Sequence, residues 1–557
     1  MNWISNLRIG AAALALLASS VCIAGEKLVA DGQTVVFLGD SITHHGANNA
    51  HGYVKLVVQG LAANGVNVKW FGAGVPGHKA WHMKDRFEKD VLSRKPDLVT
   101  IGAGVNDVWF AGPDCTLEKY RADMQDMITR AAAAGIRVVL LTPTSAYANE
   151  GDDGRIAAYA KCVEELAATN GLAVADTRRA FRALIDDPKT PKLDANGRKA
   201  TVDGVHMAPA GDRVLARAIL KTFGLDDAEQ AKAESAWAEN PVCYCSSHIC
   251  VSAAAYRAIE AEADARKCKI EDAYSEILRK GIAATIADAK FERPVPPVPL
   301  SRETKGKAEV ALVGDYFLNV EQNNRSGLPR QIRLAAESAN KDLGLSVNGC
   351  GTPKLNELWD KTLAPRKPAF LVVSTYSYEV FSLKAEDAAA QVKTLVEKAV
   401  GAGTKVIVLT TRPARNPQAE KIYNEAVRAL ADGRNVFVLD QRTIIDGELK
   451  RRADNPLATF TAAGYPLNPS VNLALGRALL PLLGFTSEEV ATAVGRFEQL
   501  PDVADVYAGV SLTFPEYDKL RALAAENGLS LAELLEIALA RGTTGDSRGS
   551  TERNEKQ

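Results

Sequence analysis

Ser41, Asp203 and His206 are the residues whose types and spacing point to chemistry. A serine hydroxyl is a weak nucleophile until a base removes its proton. A histidine can be that base, and a carboxylate can hold its ring in the working orientation. Asp203 and His206 stand three residues apart in Asp203-Gly204-Val205-His206, close enough for such a pair. If Ser41 attacks a carbonyl, negative charge develops on the carbonyl oxygen and needs hydrogen-bond donors. The Ser41 and Gly77 backbone N–H groups and the Asn106 side-chain amide are the candidates for this oxyanion hole. Asp40 and Asp107, next to Ser41 and Asn106, are supporting carboxylates. Each residue also has a plainer use. Ser41 could be the N-cap of an ordinary β–α turn, Gly77 a loop glycine, Asn106-Asp107 a turn, and Asp203 and His206 caps of the next helix.

The elements that must position these residues can be read from the pattern. Val35-Val36-Phe37-Leu38 predicts a buried strand, and Gly39-Asp40 ends it in a tight turn. Ser41 then falls at a helix N-terminus, where free backbone N–H groups can hold an anion. Further strands are expected around Asn67–Phe71, Lys95–Gly102, Arg137–Leu141 and Leu172–Val174. Helices are expected over about Leu117–Ala134, Arg155–Asn170 and Ala208–Phe223. Alternating strands and helices mean a parallel sheet covered on both faces, with ligands at the carboxyl ends of the strands. Ser41, Gly77 and Asn106 each follow such an end.

Together the blocks resemble those of the SGNH (GDSL-like) hydrolase family. Gly39-Asp40-Ser41-Ile42-Thr43 looks like its first block and Gly74–Gly77 its second. Gly104-Val105-Asn106-Asp107 looks like its third and Asp203–His206 its last. The likeness covers about residues 33–224. It implies a flavodoxin-like sheet and ester hydrolysis through an acyl-serine. It carries over Ser41 as nucleophile, Asp203 and His206 as its partners, and Gly77 and Asn106 as oxyanion donors. The substrate does not follow, since members of the family act on esters of carbohydrates, lipids and small alcohols.

The second half repeats the pattern without these residues. Ala311-Leu312-Val313-Gly314-Asp315-Tyr316 repeats Val36–Ser41, with tyrosine for serine. Gly349–Lys354 repeats Gly72–Gly77, with lysine for the last glycine, and Tyr378 falls where Asn106 should. On the same register Asp203 becomes Ala463 and His206 becomes Pro466. The second half is therefore expected to be a degenerate copy that does no hydrolysis. Val251–Gly281 also aligns with Val510–Gly542, each a short strand with two amphipathic helices, resembling a ribbon–helix–helix unit. The two copies are expected to pack on each other.

The expected architecture is α/β: two flavodoxin-like three-layer α/β/α domains in tandem, each followed by a helical hairpin. The expected limits are a signal peptide at 1–24, a hydrolase domain at 25–224 and a hairpin module at 225–286. A Pro-rich linker at 287–308, a degenerate domain at 309–485, a second hairpin module at 486–542 and a disordered tail at 543–557 complete the chain. The N-terminal segment has an arginine, an apolar run and small residues up to Ala24, which is the pattern of a secretory signal. The product is expected to be secreted or periplasmic.

The net charge of −1 over 557 residues gives no electrostatic case for nucleic acid. No stretch predicts a membrane span. Cys243, Cys245, His248 and Cys250 form the one dense cluster of metal-ligand types, but their spacing is tighter than usual zinc pairs. Disulfides or buried thiols fit it better, and neither metal nor cofactor is expected. The functional expectation is a secreted serine esterase with a small-molecule or carbohydrate ester as substrate, above all a carbohydrate O-acetyl esterase. The loops near Ser41 favour this, being polar and rich in histidine, with Trp81 available to stack on a sugar. The rival readings are a lysophospholipase- or thioesterase-like lipid hydrolase and a non-catalytic carbohydrate-binding protein.

Overall fold

The computed structural model describes residues 27–289, 303–314, 325–375, 383–460 and 467–544, apart from 111, 113–114, 152–153, 195 and 414–415. The expected signal segment, the run Phe291–Leu300 and residues 545–557 of the expected tail lie outside the described residues, as do Tyr316, Tyr378, Ala463 and Pro466; Thr543 and Thr544 end a helix.

The first domain is built on β1 (Thr34–Gly39), β2 (Lys69–Gly74), β3 (Leu98–Gly102), β4 (Arg137–Leu141) and β5 (Ala173–Ala175). They pair in the order β2-β1-β3-β4-β5, with every pairing parallel. β1 lies inside the sheet, and Val35 to Leu38 are fully buried, as a strand covered on both faces requires. Val36, Leu38, Val99, Ile101 and Leu140 pack on one side with Phe87, Met124 and Val163 from the helices. This is the doubly wound α/β arrangement. It sends the chain back to the same sheet edge after every helix, so the loops after β1, β2 and β3 meet at one end.

The second domain repeats it with β8 (Ala308–Val313), β9 (Leu343–Asn348), β10 (Phe370–Ser374), β11 (Lys405–Leu409) and β12 (Val436–Leu439). The order is β12-β11-β10-β8-β9, and a two-residue strand β7 (Glu303–Thr304) adds an antiparallel edge on β9. Alternate strand residues face opposite helical layers. Leu312, Val372 and Ile407 join one core; Val313, Val373 and Val408 join the other with Trp359. Strands β6 (Pro241–Val251) and β13 (Ala504–Thr513) form a separate two-stranded sheet.

The compact units do not follow chain order. One comprises residues 1–244 with 510–534; the other comprises 245–509 with 535–557. In the first, helix Asp227–Trp237 packs on helix Tyr53–Ala63, and the Trp237 indole donates to Leu56 O at 2.8 Å. Helix Phe514–Glu526 belongs to the same unit. Its Asp518 takes a two-pronged pair of bonds from Arg213 at 2.8 and 2.9 Å, and Arg213 covers the Phe514 ring. Leu531 and Ala532 donate backbone bonds to Lys192 and Leu193.

In the second unit, the hairpin of helices Ala253–Arg266 and Ile270–Ala287 is tied to the α/β domain. Arg452 pairs with Asp264 and Glu260, and Asn455 donates to Ala263 O and Cys268 O. Helix Ile270–Ala287 lies against residues 535–544 so closely that a Cβ on Gly281 would stand 1.6 Å from Ala538 O. Thus the first hairpin, which follows the first domain in sequence, is counted with the second.

Candidate active site

Asp40 ends β1 and caps the helix Ser41–Asn48, its carboxylate accepting from Ile42 N at 2.9 Å. Asp40 thus takes the capping role that the plainer reading gave to Ser41, and Ser41 becomes the first helical residue. Its N–H has no acceptor within the helix, which is the condition for an anion donor. The hydroxyl of Thr43, one position past Ile42, is fixed by a 2.8 Å bond to the buried Tyr53 hydroxyl.

Gly77 follows β2 in a turn closed by His78 N to Val75 O at 3.2 Å, and its φ is +76°. That conformation favours glycine. Asn106 lies in the short helix Val105–Trp109 after β3. Its side-chain amide donates to His78 O at 3.1 Å and approaches Asp40 Oδ2 at 3.4 Å. One amide therefore joins the loop after β2 to the turn after β1. Asp107 accepts from Ala80 N at 3.3 Å with both oxygens, holding the start of helix Ala80–Asp85.

Asp203 and His206 form a tight local unit. His206 Nδ1 is 2.6 Å from Asp203 Oδ2, while Asp203 Oδ1 accepts from Val205 N and His206 N at 3.0 and 2.8 Å. The carboxylate so holds both ring and backbone. The next helix is instead capped at Ala208, so neither residue serves as its N-cap. The His206 ring meets His45 edge-on, with centroids 4.9 Å apart. His45 lies one turn after Ser41, which brings His206 over the same helix. No hydrogen bond joins the Ser41 hydroxyl to His206; such bonds are often long without substrate.

Burial and pairing set the charges. Burial pushes Asp40 up to about 6, against the bond from Ile42 N and the nearby His206. Burial likewise pushes Asp107 up to about 6. Burial alone would raise Asp203, but the bonds from His206 and Val205 outweigh it and hold it down at about 2. The bond from Asp203 raises His206 above the ordinary imidazole value. An ionised carboxylate beside a basic imidazole is the arrangement a general base requires.

Two residues that the sequence reading missed organise these loops. Arg86 donates to Gly39 O at 2.7 Å, to Ala73 O at 2.9 Å and to His78 Nδ1 at 3.2 Å. It pins the ends of β1 and β2 and the loop carrying Gly77. Glu150 is buried at φ +58°, and its carboxylate accepts from Lys199 N, Ala200 N, Thr201 N and the Thr201 hydroxyl at 2.6–2.8 Å. The Thr201 hydroxyl then accepts from Gly204 N at 2.9 Å, inside the Asp203–His206 loop. A Cβ on Gly204 would stand 2.4 Å from Tyr147 O, so that loop seats directly on the segment before Glu150. Neither residue carries a local signal, because both act across long separations in sequence.

The cluster Cys243, Cys245, His248 and Cys250 lies on β6, where side chains are outside the described residues. Among the described residues, no group of three or more His, Cys, Asp or Glu side chains could hold a metal ion.

A parallel α/β sheet with a serine and an Asp–His pair on the loops at its carboxyl end is the setting in which a serine hydrolase would work. Residues 37–214 match the GDSL-like Lipase/Acylhydrolase family. The match is confined to the first domain, and the chain is an ester-bond hydrolase. A relative, an acetylxylan esterase of Geobacillus stearothermophilus, is 28% identical over 219 residues, 36% of this chain and 97% of its own length. A crystal structure of an acetylxylan esterase from that organism matches at 28% identity and TM-score 0.31, over 36% of this chain and 97% of that one. An alpha/beta hydrolase enzyme from the metagenome of Lake Arreo matches at 26% identity and TM-score 0.31, over 36% and 98%.

Proposed function

We propose that the chain is a secreted carbohydrate O-acetyl esterase with one active site, in its first domain. The observation that carries the catalytic part is the Asp203–His206 unit, held over the helix that Ser41 begins. The Ser41 oxygen attacks the ester carbonyl while His206 takes the hydroxyl proton. The carbonyl oxygen becomes an oxyanion, met by the Ser41 N–H, the Gly77 N–H and the Asn106 amide. Collapse returns the electron pair to the carbonyl and expels the sugar alkoxide, to which His206 gives its proton. Water then attacks the acetyl-serine with His206 again as base, releasing acetate and restoring Ser41. Asp203 keeps the imidazole oriented and stabilises its charged form. Asp40 and Asp107 support the donors.

The acetylxylan esterase relative supports the choice of an acetylated carbohydrate, as do the polar loops around Ser41. Secretion rests on the signal pattern at residues 1–24. Among the described residues, no helix is long and apolar enough to cross a membrane. The second domain, with Tyr316, Lys354, Tyr378, Ala463 and Pro466 at the matching positions, does no hydrolysis in this reading.

The test is acetate release from acetylated polysaccharides, compared with hydrolysis of long-chain esters and lysophospholipids. The reading expects acetate from at least one glycan. Faster hydrolysis of long-chain esters, with no acetate from any acetylated glycan, contradicts it.

A further inference from the structure

Apolar side chains left in water are rare enough to be informative when they gather at one place. Four large hydrophobic residues are exposed among those described: Trp109 (47%), Phe110 (51%), Val202 (39%) and Leu457 (45%). Three of the four adjoin the candidate site in sequence. Trp109 and Phe110 follow Asn106-Asp107, and Val202 precedes Asp203. The helix Val105–Trp109 places Trp109 three residues and Phe110 four residues after Asn106, with Phe110 N bonded to Asn106 O at 3.0 Å. Trp109 ends the helix that carries Asn106 and Phe110 is its C-cap, so both stand within about a turn of Asn106 along the chain. The Lys79 ammonium stands 5.1 Å from the Phe110 ring centre, which ties the pair to the loop carrying Gly77 and His78.

Trp81, the ring expected from sequence to stack on a sugar, is engaged elsewhere. It stacks on His82 at 3.5 Å between centroids, and Lys119 stands 5.9 Å from its ring centre. The most exposed rings next to the site residues in sequence are instead those of Trp109 and Phe110.

We propose that Trp109 and Phe110 form a subsite for a pyranose ring of an acetylated polysaccharide, beside the ring whose acetyl group Ser41 attacks. The proposal rests on the esterase reading above and adds a place where the polymer is held. A pyranose presents flat C–H faces that pack on aromatic rings, while its hydroxyls bond to polar groups around them. The polar group at hand is Lys79, whose ammonium stands over the Phe110 ring.

The experiment compares the full chain with Trp109→Ala, Phe110→Ala and the double variant. The substrates are acetylated xylan, 4-nitrophenyl acetate and 4-nitrophenyl octanoate. Both rings are exposed, so the variants should fold, and circular dichroism checks it. The readout is the ratio of kcat/KM on acetylated xylan to kcat/KM on 4-nitrophenyl acetate. A fall of about tenfold in the double variant supports the subsite. An unchanged ratio, with the unmodified chain active on the polymer, overturns the subsite alone. A loss confined to the octanoate also overturns it, since the rings would then hold an acyl chain. An unmodified chain that releases no acetate from acetylated xylan or any other acetylated glycan overturns the esterase reading and this proposal together.

Discussion

In the first domain Lys95 takes φ +47° before Pro96; in the second, Lys367 takes φ +50° before Pro368. Thr142 donates to Asp176 at 3.2 Å and accepts from Arg178 N; Thr410 donates to Asp440 at 3.1 Å and accepts from Arg442 N. Gly135 and Gly403, and again Gly224 and Gly484, share positive φ. The two domains match at this level wherever a residue turns the chain between layers or closes the sheet.

They part at the carboxyl ends of the strands. Gly77 has positive φ and open space where a side chain would stand in the first domain, whereas its counterpart Lys354 closes the 3-10 turn Thr352–Lys354 in the second. The glycine after β8 remains, Gly314 at φ +130° against Ser374 O, but tyrosine follows where the first domain has Ser41. Residues inside the layers are required by packing in both copies. In the proposed reading, residues at the strand ends are kept only in the domain that has a reaction to run.

Several changes would sharpen or break this contrast. The largest effect is expected from Ser41→Ala, which should lower kcat by about a thousandfold or more while leaving thermal unfolding nearly unchanged. Acetate release and a melting curve on the same sample check it. Asp203→Asn should lower kcat by about a hundredfold or more and also move the pH profile. His206 acts as a base only when neutral, so activity is lost as pH falls through its pKa. Asp203 raises that pKa, so the acid limb of kcat/KM should lie above the ordinary imidazole value of about 6.5. In Asp203→Asn it should move to lower pH. A limb that stays in place would mean that another group titrates.

Next in size is Glu150→Ala, which leaves buried backbone donors at 199–201 without their acceptor. It should cost about 3 kcal/mol of stability in denaturant unfolding. Asp518→Ala removes a half-exposed partner of Arg213, and about 1 kcal/mol or less is expected by the same measurement. The smallest expected effect is none. Tyr316→Ser, which restores a serine to the second domain, should add no turnover to the Ser41→Ala chain. Any gain there would break the contrast.

Much of the first domain was legible in the sequence because short-range rules govern it. The apolar run Val35–Leu38 could only be a covered strand. The spacing of Asp203 and His206 alone implied their contact. Arg137–Leu141 is a strand at the limits expected from pattern, whereas β2 lies some residues later than Asn67–Phe71, at Lys69–Gly74. What escaped was long-range. Arg86 and Glu150 look like ordinary charged residues until the fold brings distant carbonyls and amides to them. The ring for stacking on a sugar was likewise assigned to Trp81 and not to Trp109, because which rings the fold leaves exposed is not written in the local sequence. The grouping of the first hairpin with the unit of the second domain left no local trace either, since a helical hairpin reads alike wherever it docks.

The central claim is that the chain has one nucleophile and that it is Ser41. The full chain is treated with a fluorophosphonate that modifies activated serines, and the modified residue is located by peptide mass spectrometry. The account predicts one adduct, on Ser41, with activity lost in proportion, and no adduct in the Ser41→Ala chain. An adduct on a residue of the second domain, or activity and labelling that survive in Ser41→Ala, would contradict it.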